Sequence, residues 1–310
     1  MDLARIRELK QRIINEDGPW TAHNLHLGEG EFTISPEVST IELRAKRYLQ
    51  IISDLAKRPL TQLRILDLGS CEGLYSIEFG LQGCEVVGVE GRAVHIRKAE
   101  FARDALGLPN VSFRQGDVRE VLQEDMGKFD VTICAGLYYH LAQEDLLPLL
   151  QTLKSITTQC VIIETHVPFS NTHQFQVEGK TYHGVEFTEH PEASSPDEKL
   201  ANVWASMDNT KSFWPSKASL YNMMLECGFT SILEAHVPVT YDPADRITLL
   251  AFCGTKAILK SAPPLLNSSQ EFAPEVEGRP SAIMQPPTGF FARLKSRLVL
   301  IFQSKPVIPV

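Results

Sequence analysis

The chain has no C-x-x-C pair. Its six cysteines, Cys71, Cys84, Cys134, Cys160, Cys227 and Cys253, are scattered without zinc-like spacing, which argues against a disulfide framework or a structural zinc site. Four of them fall in or beside expected strands, where cysteine serves as a small buried hydrophobe; a reducing, cytoplasmic compartment suits such usage. His166, His173, His183 and His190 show no tight H-x-x-H or H-x-x-x-H spacing, so no metal is expected. An excess of positive charge is also missing. The net charge of -8 and pI of about 5.6 provide no global attraction for nucleic acid, although a local basic groove stays open. No apolar run approaches the roughly eighteen residues of a membrane span. The N-terminal MDLARIRELKQRIINEDG is charged throughout and does not read as a signal peptide.

What is present is enough for a sizeable core: 310 residues at 43% hydrophobic content, which fits one elaborated domain or two small ones. The stretch Arg64 to Arg92 organises the rest. Arg64 to Gly69 is an apolar run stopped by glycine, the pattern of a buried parallel strand. Gly73 opens a helix with Leu74, Ile77, Phe79 and Leu81, and Gln82-Gly83 ends it. Glu85 to Val89 is a second strand finishing on Glu90. Strand, glycine turn, helix, strand and terminal acid make a mononucleotide-type βαβ unit in which the acid can grip a ribose hydroxyl pair.

The turn decides between cofactors. The three glycine positions of a dinucleotide fingerprint, counted from Gly69, are Gly69, Cys71 and Leu74, so two of three fail. Asp67 and Glu72 would repel a pyrophosphate but would favour the ammonium and sulfonium of S-adenosylmethionine, which carries no phosphate.

Around this unit, Leu3 to Asn15 is an amphipathic covering helix. Gly18 to Asn24 breaks the pattern and Leu25 to Ile34 is irregular or β, a lid-like segment before the core; Trp20, His23 and Asn24 either face the site or pack on the core edge. Ser39 to Arg58 is a helix. Ala93 to Leu106 reads as a second crossover helix and Val111 to Gln115 as a third strand, closed by Gly116-Asp117-Val118. There Asp117 can accept an adenine amine or cap the next helix. Phe129 to Cys134 is a fourth strand leading into Ala135 to His140, Gln143 to Ser155 a helix, and Cys160 to Glu164 a fifth strand. Ligands of open α/β sheets bind beyond the carboxyl ends of their strands. The long segment Pro168 to Pro215, rich in aromatics and histidines, exceeds an ordinary crossover and reads as a substrate-covering insertion or a satellite core. Ala218 to Cys227 is a helix, and Ser231 to Ala235 and Arg246 to Cys253 are a final antiparallel pair. Beyond Lys256 a Pro-, Ser- and Glu-rich linker, expected to be disordered to about Pro287, leads to FFARLKSRLVLIF, a weak tail helix or a segment touching a membrane or partner.

The turn Asp67 to Gly73, the acid Glu90, the Gly116-Asp117-Val118 turn and Phe129-Asp130 together resemble class I S-adenosylmethionine-dependent methyltransferases. Gly136-Leu137-Tyr138-Tyr139-His140, Glu164-Thr165 and Ser212-Phe213-Trp214-Pro215-Ser216 are similar to the branch containing the tRNA wobble-uridine carboxymethyltransferases. That branch has a basic segment ahead of its core, for which Gly18-Pro19-Trp20-Thr21-Ala22-His23 offers no lysine, so ordinary methyl transfer is expected. The resemblance implies a Rossmann-like α/β fold, a mostly parallel sheet with an antiparallel last strand and helices on both faces; with the flanking segments read above, the chain divides into an N-terminal helical cover (1–60), a methyltransferase domain (61–257) with an insertion after strand five (168–215), and a linker and tail (258–310). With the turn and acids read above, the resemblance implies a cofactor site at Asp67, Gly69, Ser70, Gly73, Glu90, Gly91, Asp117, Val118, Gly136 and Tyr139, in which it puts Tyr139 near the sulfonium and Gly136 at the adenosyl or methionyl part. If the acceptor is a hydroxyl, His140, His166 or Glu164 is placed to act as base. The expected reaction moves a methyl group to oxygen, nitrogen or carbon of a small-molecule or saccharide acceptor; tRNA modification is the alternative. Oligomeric state is not legible.

Overall fold

Residues 1–37, 40–121, 124, 126–237 and 245–254 are described by the structure, a computed structural model. The expected tail, from 258 onward, lies outside them. In chain order the elements are helix α1 (Leu3–Asp17), hairpin strands β1 (His26–Gly28) and β2 (Glu31–Phe32), α2 (Thr40–Leu55), β3 (Arg64–Leu68), α3 (Leu74–Leu81), β4 (Glu85–Glu90), α4 (Ala93–Leu106), β5 (Val111–Gln115), α5 (Val118–Val121), β6 (Phe129–Ala135), α6 (Gln143–Ile156) and β7 (Thr157–His166). The insertion follows as β8 (His173–Val177), β9 (Lys180–Thr188), α7 (Pro196–Ala201) and β10 (Lys211–Pro215), and then come α8 (Lys217–Glu226), β11 (Ser231–Glu234) and β12 (Arg246–Phe252).

Seven strands form one sheet in the order β11-β12-β7-β6-β3-β4-β5. β7, β6, β3, β4 and β5 run parallel, and β12 is antiparallel to both β7 and β11. This is the Rossmann-like sheet the sequence predicts. Each central strand buries both faces: Leu66 and Leu68 join the core beneath α6 and α8, while Ile65 joins the core beneath α1 to α4, as the two-residue side-chain alternation requires. The chain leaves β3 for β4 on one side, and β6 pairs on the other. That reversal opens a crevice at the carboxyl ends of β3, β4 and β6.

β7 is longer than the sequence suggests, because α6 runs into it without a loop and Thr157 already pairs with Phe129. The insertion is a three-stranded antiparallel sheet, β10-β9-β8, with Phe175, Tyr182 and Phe213 buried in it. Its tight hairpin is Val177-Glu178-Gly179-Lys180, with both central residues at positive φ (52° and 77°); this is the primed turn that matches strand twist.

The N-terminal cover is fastened by Glu72. Its fully buried carboxylate accepts the backbone N–H groups of Thr21 (2.9 Å), Ala22 (3.0 Å) and His23 (2.9 Å) and pairs with Lys98 (3.2 Å). The expectation that Glu72 and Asp67 serve the charges of a cofactor is therefore corrected. Asp67 is also turned inward, accepting Ser76 N (3.0 Å) and Ser76 Oγ (2.7 Å). Trp20 packs on Phe101 rather than facing the site.

His23 closes the same joint. Its Nδ1 accepts from Leu74 N at 3.1 Å, capping α3, and burial pushes its pKa down to about 4. A depressed histidine stabilises the fold above its unfolded value of about 6.5 and loses that contribution as pH falls toward 4. The full contribution is on the order of 3 kcal/mol. Asp67, pushed up to about 6 by burial, acts in the opposite direction. Urea titrations at pH 7 and pH 4.5 should therefore show a steeper loss of stability in wild type than in His23→Gln, whose amide oxygen can still cap Leu74. Equal slopes would contradict this.

Candidate active site

The crevice is a cavity of about 330 Å³ lined from five directions: the β3 turn (Gly69, Cys71), the end of β4 (Glu90, Gly91, Arg92), the end of β5 (Gly116 to Arg119), the end of β6 (Ala135 to Leu141), and the insertion segment Val203 to Asn209. Ala22, His23, Arg44, Glu164 and Arg246 also line it. That volume is in the range of small-ligand sites. Of the residues implied by the sequence, Gly69, Glu90, Gly91, Asp117, Val118, Gly136, Tyr139, His140 and Glu164 all line it. Asp67, Ser70, Gly73 and His166 do not.

The β3 turn is built for close approach. Gly69 and Gly73 have φ of +67° and +92°, a region that disfavours side chains, and a Cβ on Gly73 would stand 2.9 Å from Ala99 Cβ. Gly73 thus packs α3 against α4 instead of touching a ligand. Gly69 N and Ser70 N both donate to Val89 O (2.9 and 3.0 Å), locking the turn to β4. Ser70 is fully buried, and its Oγ has no partner among the described residues. Gly136, at φ +78°, leaves open space below Tyr139 Oη and Glu164 Oε2, which a Cβ would approach only to 3.9 and 4.0 Å.

Glu90 is 6% exposed. One oxygen accepts from Cys71 N (2.9 Å) and the other from Arg92 N (2.8 Å), and His95 Nδ1 lies 3.6 Å away. Burial pushes its pKa up, but these hydrogen bonds and His95 outweigh it, so the carboxyl is held below the usual range. An ionised carboxylate with lone pairs to spare suits a sugar diol. The nearby Arg92 does not offer itself to a phosphate: its guanidinium donates to the carbonyls of Leu200, Asn202 and Ala205 at 3.1, 2.9 and 2.8 Å. The donor set therefore fits the adenosyl group of S-adenosylmethionine and not a pyrophosphate. At the β5 end, Asp117 is held by Arg119, which lowers its pKa against burial. Arg119 also reaches Asp145 and Asp208, tying the insertion to the mouth. This leaves Asp117 more a brace than a free acceptor.

The three candidate bases differ. Glu164 is paired with Arg246 (2.9 Å) and lies 3.9 Å from Arg44, so proton uptake there would break a buried ion pair. His166 has both ring nitrogens engaged: Nδ1 lies 3.1 Å from the Asp245 carboxylate and Nε2 is 3.1 Å from Arg246 Nη2. Its ring is stacked on Trp214 at 4.7 Å, and burial and Arg246 push its pKa down. His140 is different. Its Nδ1 sits 3.0 and 3.1 Å from the two oxygens of Glu189, while its Nε2 has no partner among the described residues. Glu189, Arg92 and Arg119 are site elements that the sequence did not single out. The 203–209 roof falls in the segment expected to cover the substrate or form a satellite core, but nothing local marks which of its residues reach the cavity.

Comparison with known proteins fits this geometry. A methyltransferase domain family model matches residues 60–218. Over 86 residues the chain is 31% identical to the ubiquinone biosynthesis O-methyltransferase of Maricaulis maris (strain MCS10), a segment covering 28% of this chain and 34% of that protein. Over 110 residues it is 27% identical to the O-antigen chain terminator bifunctional methyltransferase/kinase WbdD of Escherichia coli, covering 34% and 15%. The matching segments thus span about a third or less of these curated relatives. The N-terminal domain of EvdMO1 with SAH bound superposes with a TM-score of 0.61 at 25% identity, covering 81% of this chain and 96% of that one. The same domain in the presence of SAH and D-fucose gives 0.60 at 24% identity, covering 79% and 95%. Since the family model reaches across more than half of the sequence and the sheet carries the expected strand order, the chain belongs to the methyltransferase domain family.

Proposed function

We propose that this protein uses S-adenosylmethionine to methylate a hydroxyl oxygen of a small acceptor, with saccharides the favoured class. The observation that carries the reading is His140: it lines the same cavity as Gly69, Glu90 and Gly136, and it has a ring nitrogen with no partner among the described residues. Such a group is needed where the attacking atom bears a proton, and is superfluous for a carboxylate acceptor. Support for the saccharide class comes from the EvdMO1 domain with SAH and D-fucose, and for oxygen as the methylated atom from the ubiquinone O-methyltransferases.

When bound, the cofactor supplies a methyl group on a positively charged sulfur. Glu90 would hold the ribose hydroxyls, the backbone of Gly69 and Gly136 would allow close approach, and Val118 would wall the adenine. Arg92 and Arg119 hold the insertion roof over the adenosyl end, keeping water out of an in-line displacement that depends on position. His140 Nε2 would take up the proton of the acceptor O–H as that oxygen gains the methyl group the cofactor would supply. His140 then returns the proton to solvent. tRNA as acceptor gains no support from the cavity arginines: Arg44 and Arg246 face Glu164, Arg92 faces roof carbonyls, and Arg119 faces three aspartates.

Incubation of the pure protein with methyl-labelled S-adenosylmethionine and separate pools of sugars, phenols, carboxylic acids and RNA tests this. The expected product is a labelled ether that survives mild alkali. Label confined to RNA, or to an alkali-labile ester, would overturn it.

A further inference from the structure

We infer that Glu189, in the insertion, is the positioning residue for His140, and so that the insertion supplies half of the proton-accepting unit as well as the roof. This rests on the hydroxyl-acceptor reading above. The Glu189 side chain is 1% exposed while that of His140 is 21% exposed, so the acid lies behind the histidine, away from solvent. Apart from His140, the hydrogen-bond partners of the carboxylate among the described residues are donors. Oε1 accepts from Ser212 Oγ at 2.7 Å and Oε2 from Ser206 N at 2.8 Å, and both oxygens are within 3.1 Å of His140 Nδ1. These hydrogen bonds and His140 hold the Glu189 carboxyl below its usual range against the effect of burial. An ionised acid surrounded by donors requires the imidazole to present Nδ1–H to it, which leaves the lone pair on Nε2. The histidine thus carries the tautomer a base needs, and the imidazolium formed on proton uptake sits against a buried negative charge.

The same carboxylate reaches the roof through Ser206 N. Roof and base therefore meet at Glu189, and two further contacts hold the insertion to the His140 turn: Asn209 Nδ2 donates to His140 O at 3.2 Å, and the backbone Phe213 N donates to Leu141 O at 2.9 Å. A purely structural role for Glu189, as a clamp on Ser206 and Ser212, is the competing explanation, and Glu189→Gln separates the two. A glutamine can direct its oxygen at Ser206 N and its amide at Ser212 Oγ, which preserves the clamp and removes only the charge.

The test uses the full chain and a hydroxyl acceptor that wild type methylates. Glu189→Gln should lower kcat by about 10²-fold or more, with KM and the affinity for SAH changed by less than about threefold. Because Glu189 acts only through His140, the double variant His140→Ala/Glu189→Gln should be no slower than His140→Ala alone. In the ligand-free wild type, 15N chemical shifts of His140 should report the Nδ1–H tautomer, a readout that needs neither variant nor turnover. Loss of SAH affinity with kcat preserved, multiplicative losses in the double variant, or an Nε2–H tautomer would each overturn the inference. If wild type methylates no hydroxyl at all, the reading beneath it fails instead, while the tautomer still tests the dyad.

Discussion

Glu72→Ala is expected to destabilise the protein by about 3–5 kcal/mol, the usual cost of removing one partner from a buried ion pair. The reason lies in what the substitution strands. Three backbone N–H groups, of Thr21, Ala22 and His23, lose their acceptor, and among the described residues Lys98, 2% exposed, keeps the carbonyl of Pro19 at 2.7 Å and the ring face of Trp20. For a domain of this size such a loss lowers Tm by roughly 10 °C. Glu72→Gln retains one acceptor oxygen but adds a donor among donors, and should fall between. The effect reaches function because Ala22 and His23 line the cavity, so the variant should also bind SAH more weakly than wild type at temperatures where it remains folded. A loss below about 1 kcal/mol, within the range of a surface substitution, would show that the N-terminal cover is held by something other than this carboxylate.

That residue also shows where sequence reading stops. The central βαβ unit is legible because its strands are continuous apolar runs punctuated by glycine, and because topology alone sends their carboxyl ends to one crevice. Gly69, Glu90, Gly91, Asp117, Val118, Gly136, Tyr139, His140 and Glu164 come together there for that reason. Charged side chains obey no such periodicity. Glu72 stands in the turn and Asp67 near the end of β3, yet each points inward, toward residues 21–23 and Ser76. Arg92 reaches carbonyls more than a hundred residues away, and Glu189 meets His140 across 49 positions. Their partners are set by how the insertion folds back over the sheet. The insertion's own sheet could have been suspected from Glu178-Gly179, a two-residue turn between β-rich flanks, but its docking on the β6 turn has no local signature. The same limit applies to His166: it is beside the site in sequence terms, but the stack on Trp214 and the contacts with Arg246 and Asp245 hold it outside the cavity lining.

Replacing Glu90 by alanine is expected to weaken SAH binding by at least about 100-fold. Two charge-assisted hydrogen bonds to a vicinal diol are worth about 1.5–3 kcal/mol each, and about 1.4 kcal/mol is tenfold in affinity. Glu90 also fastens the glycine turn through Cys71 N and the β4 exit through Arg92 N, so its removal loosens the surface against which the adenosyl group would lie. A thermal melt of the variant separates this local loosening from global unfolding, since the sheet core around Leu66, Leu68 and Val89 does not depend on it.

The central claim is that the crevice beyond β3, β4 and β6 takes an adenosyl cofactor through Glu90, and calorimetric titration of the full chain with SAH tests it most directly. The account predicts saturable uptake of one molecule per chain, largely lost in a folded Glu90→Ala variant. No uptake by wild type, or equal uptake by both proteins, would contradict it.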